Sequence, residues 1–388
     1  MTVILAASSV VSVGAPLLAA LGVAIAIDLA VGEPPTRFHP VAWFGSIVGR
    51  VDREWSRPRS VGVVVAAGLP LAAAVAAGVV VATVASGAGW VLASVVAGVV
   101  LAVTMSRRML LDVTAEVVAL TASDPDTARR SIRALVGRDV ADLPPPALRS
   151  AAVESAAENL ADGFVAPLVG VVLGAVIGVG IGPALGAGTG VATVGPTVGT
   201  TLVLSLAVAG AVWVKAVNTL DSMLGYRSKP VGWASARLDD AVMYVPARTT
   251  AVCLAVAAGP VGSLETLRRA SRWARVPSSP NSGWPMATAA VALDVRLEKP
   301  GHYVLNPAAE SPSRVDAERA VGLVRLAGGV AVAATAVTLV AVATLLAAAT
   351  LLVTVATGGW LATRTGGSVV SVVGGLSVVG GLSVVVTG

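Results

Sequence analysis

The sequence predicts an all-α, polytopic integral membrane protein with about six transmembrane helices and helical loops between them. Three observations predict it. Hydrophobic residues make up 55% of the 388 residues and charged ones 13%, too little polar surface for a water-soluble domain to cover itself. Several apolar stretches approach the roughly 20 residues that a helix needs to cross a bilayer. Charge is withheld from those stretches and gathered between them.

The first span is Leu17 to Val31, with apolar residues ahead of it. The apolar run begins at Val3, lacks a positively charged leader and exceeds a usual signal-peptide core, so it reads as a retained span. Val61 to Ala85, Gly89 to Met105, Phe164 to Gly182 and Thr197 to Val214 follow, and Ala327 to Thr357 runs 31 residues without a charge. Thr249 to Leu264 is short and interrupted by Gly259-Pro260, which suits a re-entrant or interfacial element better than a crossing. The glycine- and threonine-rich connection from Gly180 to Gly199 reads as a flexible outer loop. Residues 1–364 form a single membrane domain, and 365–388 a Gly/Val/Ser-rich tail that repeats Ser-Val-Val-Gly-Gly-Leu from Ser371 and from Ser377.

Gly32 to Ser60, Ser106 to Gly163, Lys215 to Arg248 and Glu265 to Arg325 carry 5, 7, 5 and 9 Lys or Arg, which is 26 of the 27. If Thr249 to Leu264 does not cross, all four lie on one side, and the positive-inside rule makes that side the cytoplasm of a multi-pass cell-membrane protein. The net charge of +5 does not imply nucleic acid, since there is no lysine-rich run and only three tyrosines interleave with basic groups. Arginines facing the lipid bilayer account for the excess. The single cysteine, Cys253, excludes a disulfide framework and a cysteine metal cluster.

All but one of the 22 acids also lie in those four segments, whereas a transporter more often carries ionisable groups within its spans. Glu33 and His39 follow the first span in a stretch stiffened by Pro34, Pro35 and Pro40. Glu154, Glu158 and Asp162 recur every four residues, on one side of a helix, beside Asn159. Such repelling carboxylates suit Mg²⁺, above all where phosphates complete its shell. A solvated acidic face has the same spacing, and periodicity alone leaves both readings open. Lys215, Asn218 and Ser222 share a helical face at i, i+3 and i+7, with Asp221 and Tyr226 nearby and Arg237, Asp239, Asp240 and Arg248 beyond. Cations at the ends of a segment and paired aspartates between them make the parts of a metal and phosphate site. Ser278 to Pro285, which contains Asn281, reads by itself as a structural turn.

These segments occur in order as Gly-Glu-Pro-Pro with His-Pro, Arg-Ala-Leu-Val-Gly-Arg-Asp from Arg133, and Glu-Ser-Ala-Ala-Glu-Asn-Leu-Ala-Asp-Gly from Glu154. Lys-Ala-Val-Asn-Thr-Leu-Asp-Ser-Met-Leu-Gly-Tyr, Ala-Arg-Leu-Asp-Asp with Pro-Ala-Arg, and Ser-Pro-Asn-Ser-Gly-Trp-Pro complete the set. From about Asp28 to Tyr303 the chain resembles the CobD/CbiB family of cobalamin biosynthesis. The resemblance implies an adenosylcobinamide-phosphate synthase, a carbon–nitrogen ligase joining adenosylcobyric acid to aminopropanol or its O-phosphate with ATP and Mg²⁺. Arg133, Arg138, Lys215, Arg237 and Arg248 would then hold phosphates. Glu154, Glu158, Asp162, Asp221, Asp239 and Asp240 would hold the metal or take the amine proton, the metal falling to Glu158, Asp162, Asp239 and Asp240. Glu33, His39, Asn159, Asn218, Ser222, Tyr226 and Asn281 would complete substrate binding. Met286 departs from the family, which commonly has an acid there, and no Walker-type phosphate loop is present. A corrinoid transporter or sensor, or an anchor for other membrane enzymes of nucleotide-loop assembly, is the alternative.

Overall fold

The computed structural model describes residues 2–135, 140, 142–188, 196–226 and 228–364. Arg138 and the repetitive tail lie outside them. Helix α1 (Thr2–Ala30) is followed by the short α2 (Pro40–Gly49), which starts on a proline and is capped by His39. Helix α3 (Pro58–Ala102) is broken at Gly89, whose φ of 81° only glycine adopts freely. Ala77 and Val100 line one recess, although an unbroken helix would hold residues so spaced about 35 Å apart. The chain therefore doubles back at Gly89, and α3 supplies two antiparallel arms where the sequence predicts two spans.

Helices α4 (Arg107–Ser123), α5 (Pro125–Ser131) and α6 (Pro145–Leu160) lead into a π-helical turn, Ala161–Val165, and then into α7 (Ala166–Gly188). Helix α8 (Pro196–Leu224) returns. Both helices extend into the stretch read from sequence as an outer loop, leaving only residues 189–195, outside those described, as the connection. Apolar surroundings favour helix even for glycine, because no water is there to satisfy an open backbone. Then come α9 (Trp233–Val242), α10 (Tyr244–Ala258), α11 (Ser263–Ala270) and α12 (Gly283–Leu293). A small antiparallel hairpin pairs β1 (Leu297–Lys299) with β2 (Tyr303–Leu305), and α13 (Arg314–Arg364) closes the chain.

Small residues let the long helices approach. A Cβ on Gly174 of α7 would lie 2.0 Å from the Leu206 carbonyl oxygen of α8, and one on Gly210 of α8 would lie 2.2 Å from that of Gly170. This is the small-residue packing of membrane helices, where backbone proximity and dispersion replace a hydrophobic driving force. Gly78 of the first α3 arm approaches Ser205 and Ala209 of α8, Gly98 of the second arm meets Ala20 and Val23 of α1, and Gly14 of α1 meets Ala343 of α13. Contacts between α13 and α7 close the ring.

The four charged segments are bonded to one another. Arg108 of α4 donates to the Leu29 and Ala30 carbonyls at 2.9 and 2.7 Å, Lys229 pairs with Asp52 at 2.7 Å, Arg149 donates to Pro312 O at 2.8 Å, and Asn281 donates to Asp240 O at 2.8 Å. They therefore share one end of the bundle, and every path between two of them makes an even number of crossings. The arms of α3 make two and α7 with α8 make two, so α9 and α10, bent by 44°, cannot make one. Helix α10 instead packs on α11, α12 and α13. By length, composition and this parity, the candidate spans are α1, both arms of α3, α7, α8 and α13.

A Gly174→Val substitution is expected to force α7 from α8, overpacking at a cost of roughly 1–3 kcal/mol. Thermal aggregation in detergent should begin several degrees lower than for wild type, while Gly180→Val, which meets nothing within 4 Å, should leave it unchanged. Equal midpoints for the two variants would contradict the close α7–α8 contact.

Candidate functional site

At the charged end of the bundle a cavity of about 320 Å³ is lined by residues from four regions. Glu33 and His39 come from the exit of α1, Ser106 and Met109 from the start of α4, and Asn159, Asp162 and Gly163 from the end of α6 and the π-turn. Lys215, Asn218, Thr219 and Ser222 form the α8 wall. An apolar recess of about 230 Å³ adjoins it and shares Val41, Val103, Lys215 and Thr219.

Helical periodicity builds the α8 wall, and Lys215, Asn218 and Ser222 line one cavity as their spacing predicts. Thr219 and Ser222 donate to the Lys215 and Asn218 carbonyls one turn back, each at 2.8 Å, which leaves their lone pairs for a ligand. The opposite wall depends on the π-turn. An inserted π-turn shifts the helix register and frees a carbonyl; here the Gly163 carbonyl accepts from the Ser106 N–H at 3.0 Å. Asp162 is thus turned toward α8 and lines the cavity with Asn218.

Asp239 of α9 approaches Asn218 as well. Asp162 faces the charges of Asp239, Lys215 and Asp221, and Lys215 faces those of Glu33 and Asp162. His39 accepts from the Val41 N–H through Nδ1 at 3.2 Å, so its Nε2 carries the proton and points at Glu33, 3.7 Å away. One lysine therefore sits between Glu33 and Asp162, and Asp162 in turn faces Asp221 and Asp239.

Oδ1 of Asp221 and Oδ1 of Asp239 are buried without any hydrogen-bond donor, and each such atom costs about 1–3 kcal/mol. Two bare carboxylate oxygens beside Asp162 fit a hard cation. Among the described residues no three acids or histidines form a metal cage by themselves. That combination suits Mg²⁺, which takes one or two carboxylates and leaves the rest of its shell to water and phosphate.

Other residues marked from sequence stand elsewhere. Glu154 is buried away from the cavity, accepting from Ser150 at 2.9 Å and from the Tyr303 hydroxyl at 2.8 Å; it joins α6 to the hairpin. Met286, where the family commonly has an acid, lies 3.6 Å from the same hydroxyl. Glu158 is half-buried one turn before Asp162 and does not line the cavity. The π-turn takes Asp162 off the row that equal spacing draws through Glu154 and Glu158. Asp240 pairs with the exposed Arg237 at 3.4 Å. Arg133 and Tyr226 are exposed outside the cavity. Arg248 stacks 3.5 Å over Tyr244 and donates to Asn281 Oδ1 at 3.0 Å, while Asn281 donates to Asp240 O. The turn is structural, as its sequence reads: it clamps the junction of α9 and α10, the Asn281 side chain donating to the Asp240 carbonyl.

Sequence reasoning missed Ser106, Thr219 and the methionines Met105, Met109 and Met223, which are three of the six in the chain and all line the cavity. Thr219 was within reach, four residues after Lys215. The methionines carry no local signal, since only the fold brings them together.

Asn281→Ala removes the donor to Asp240 O and the acceptor of Arg248, and is expected to destabilise by about 1–3 kcal/mol. Limited proteolysis should then cut near Val242 to Tyr244 faster than in wild type. Unchanged cleavage would show that α9 is held by other contacts.

The CobD/Cbib protein family matches residues 21–324. The chain is 33% identical over 313 residues to a probable cobalamin biosynthesis protein CobD of Methanothrix thermoacetophila, covering 78% of this chain and 90% of that one. It is 36% identical over 329 residues to the cobalamin biosynthesis protein CobD of Rhodobacter capsulatus, covering 79% and 92%. With that of Mycobacterium tuberculosis it shares 35% over 329 residues, covering 79% and 91%. No solved structure matches. With a multi-pass helical bundle, and with such identity along nearly the whole length of these relatives, the chain belongs to the CobD/CbiB family of cobalamin biosynthesis.

Proposed function

We propose that the chain is a ligase that joins the carboxylate of adenosylcobyric acid to the amine of aminopropanol or its O-phosphate, with ATP and Mg²⁺, giving adenosylcobinamide or its phosphate. The observation that carries this reading is the cavity in which Lys215 meets Glu33, Asp162 and Asn218, with Asp239 facing Asp162. Family membership supports the pathway. The charged end of the bundle, which holds 26 of the 27 Lys and Arg in its sequence segments, would face the cytoplasm.

A carboxylate at neutral pH resists attack by an amine and must first gain a leaving group. A carboxylate oxygen attacks the γ-phosphorus of ATP, the bond to ADP breaks, and an acyl phosphate forms. The amine nitrogen then attacks the acyl carbon, the carbon–oxygen bond breaks, inorganic phosphate departs and the nitrogen loses a proton. The Lys215 ammonium would donate to the phosphoryl oxygens as charge gathers on them. Asp162, on the cavity wall, would accept the amine proton. Glu33, beside His39, would attract the incoming ammonium to the opposite wall. Mg²⁺, to which Asp221 and Asp239 would offer their bare oxygens, would neutralise the phosphates.

Detergent-purified protein given ATP, Mg²⁺, adenosylcobyric acid and each amine in turn should form the amide and release one ADP for each bond made. The absence of ATP-dependent amide with both amines would reject the proposal, and the faster amine identifies the substrate. Lys215→Ala should lower kcat by roughly 10²-fold or more, the usual effect of losing a donor to developing charge, in protein that elutes as wild type does. A Cβ on Gly225 would lie 1.8 Å from Asp221 Oδ1. Gly225→Ala should therefore displace that carboxylate and raise the Mg²⁺ concentration for half-maximal rate, and an unaltered Mg²⁺ dependence would remove Asp221 from the ion's surroundings.

A further inference from the structure

Helix α2 is apolar on every side. Its sequence, Pro-Val-Ala-Trp-Phe-Gly-Ser-Ile-Val-Gly, carries no charge, and a helix apolar all round requires an apolar neighbour all round. Protein supplies one side only. Val41 and Phe44 line the recess beside the candidate site, Val48 is buried, and Gly45 packs against Met223 of α8. On the other side Trp43 and Ile47, one turn apart, are 54% and 45% exposed. Phe38 before them is exposed too, and so are Leu29 and Val31 at the exit of α1.

The place of α2 in the chain says what covers this face. It is tied between the end of one span and the start of the next by linkers of residues 31–39 and 50–57, so it stays near the bilayer surface. Arg37 and Arg50 flank it and Arg53 and Arg57 follow, where cationic side chains reach anionic headgroups. The Trp43 indole N–H donates to Arg37 O at 3.0 Å, so its polar edge is satisfied and the rest of the ring is free for lipid, as in the aromatic belts of membrane proteins.

We propose that α2 is an interfacial helix, with Phe38, Trp43 and Ile47 seated at the boundary of headgroups and acyl chains while its opposite face walls the candidate site. The occupant is the bilayer surface, and the inference does not depend on the reaction proposed above. One wall of the cavity is then held in place by lipid.

The test is nitroxide depth in phosphatidylcholine vesicles containing phosphatidylglycerol. The native Cys253 is single and buried, so labels at Phe38→Cys and Ile47→Cys report separately from it. Val75→Cys, on an exposed apolar position of α3, marks the bilayer interior, and Val315→Cys, exposed at the start of α13, marks water. The ratio of oxygen to nickel-chelate accessibility at 38 and 47 is expected between the two references and several-fold above that at 315. A ratio equal to that at 315 places the face in water and overturns the proposal. Exclusion of both reagents would mean cover by another copy of the protein and overturns it equally. Two label sites keep the outcome readable if one variant fails to fold.

Discussion

The Asn218 side chain stands where the parts on which the candidate site depends come together. It faces Asp162 on the π-turn and Asp239 on α9, so three elements meet at one point. Each approach has its own cause. Glycines 170 and 174 bring α7 onto α8, and Gly232, whose Cβ would lie 1.6 Å from Leu224 O, folds α9 back beside the end of α8. Asn281 fixes the far end of α9 through the Asp240 carbonyl. Asp162 and Asp239 also face one another there, and in partly dry surroundings their repulsion is stronger than in water.

The sequence shows most clearly what depends on one helix at a time. The spans are runs of apolar residues, and the Lys215, Asn218 and Ser222 face follows from the helical period, so both are legible. The fold departs from the sequence reading where a second element intervenes. Equal spacing groups Asp162 with Glu154 and Glu158, but the π-turn rotates it away, and hydrogen bonds from residue i to i+5 leave no local pattern to detect. Glu154 has the same appearance in sequence as a ligand; its partner Tyr303 lies 149 residues on. Asn281 reads as turn chemistry because its partner carbonyl is 41 residues earlier.

Charge gathered at one end of an apolar bundle also explains why, among the described residues, no arginine lines the cavity. Arg108 closes the end of α1, Arg149 ties α6 to the segment before α13, and Arg107 donates to Arg325 O at 3.0 Å across to α13. Carbonyls left open at helix ends need donors, and guanidinium groups with five N–H donors reach several at once. The buried Asp28 accepts from the Arg108 N–H at 3.3 Å, so the acid nearest the first span serves the start of α4. Much of the basic charge is thus mortar between loops, and the cavity keeps one lysine of its own.

That leaves an imbalance with a chemical consequence under the proposed reaction. Glu33 and Asp162 face Lys215, and Asp221 and Asp239 face Asp162, so acids outnumber the lysine before any substrate arrives. A free nucleotide would meet repulsion there. A nucleotide carrying Mg²⁺ brings its own neutralisation and meets two buried oxygens without donors, while an ammonium substrate is attracted by the same acids. The acidic surroundings would thus favour the metal–nucleotide complex and the protonated amine together. They would also oblige the amine to lose its proton within the cavity, next to carboxylates able to receive it.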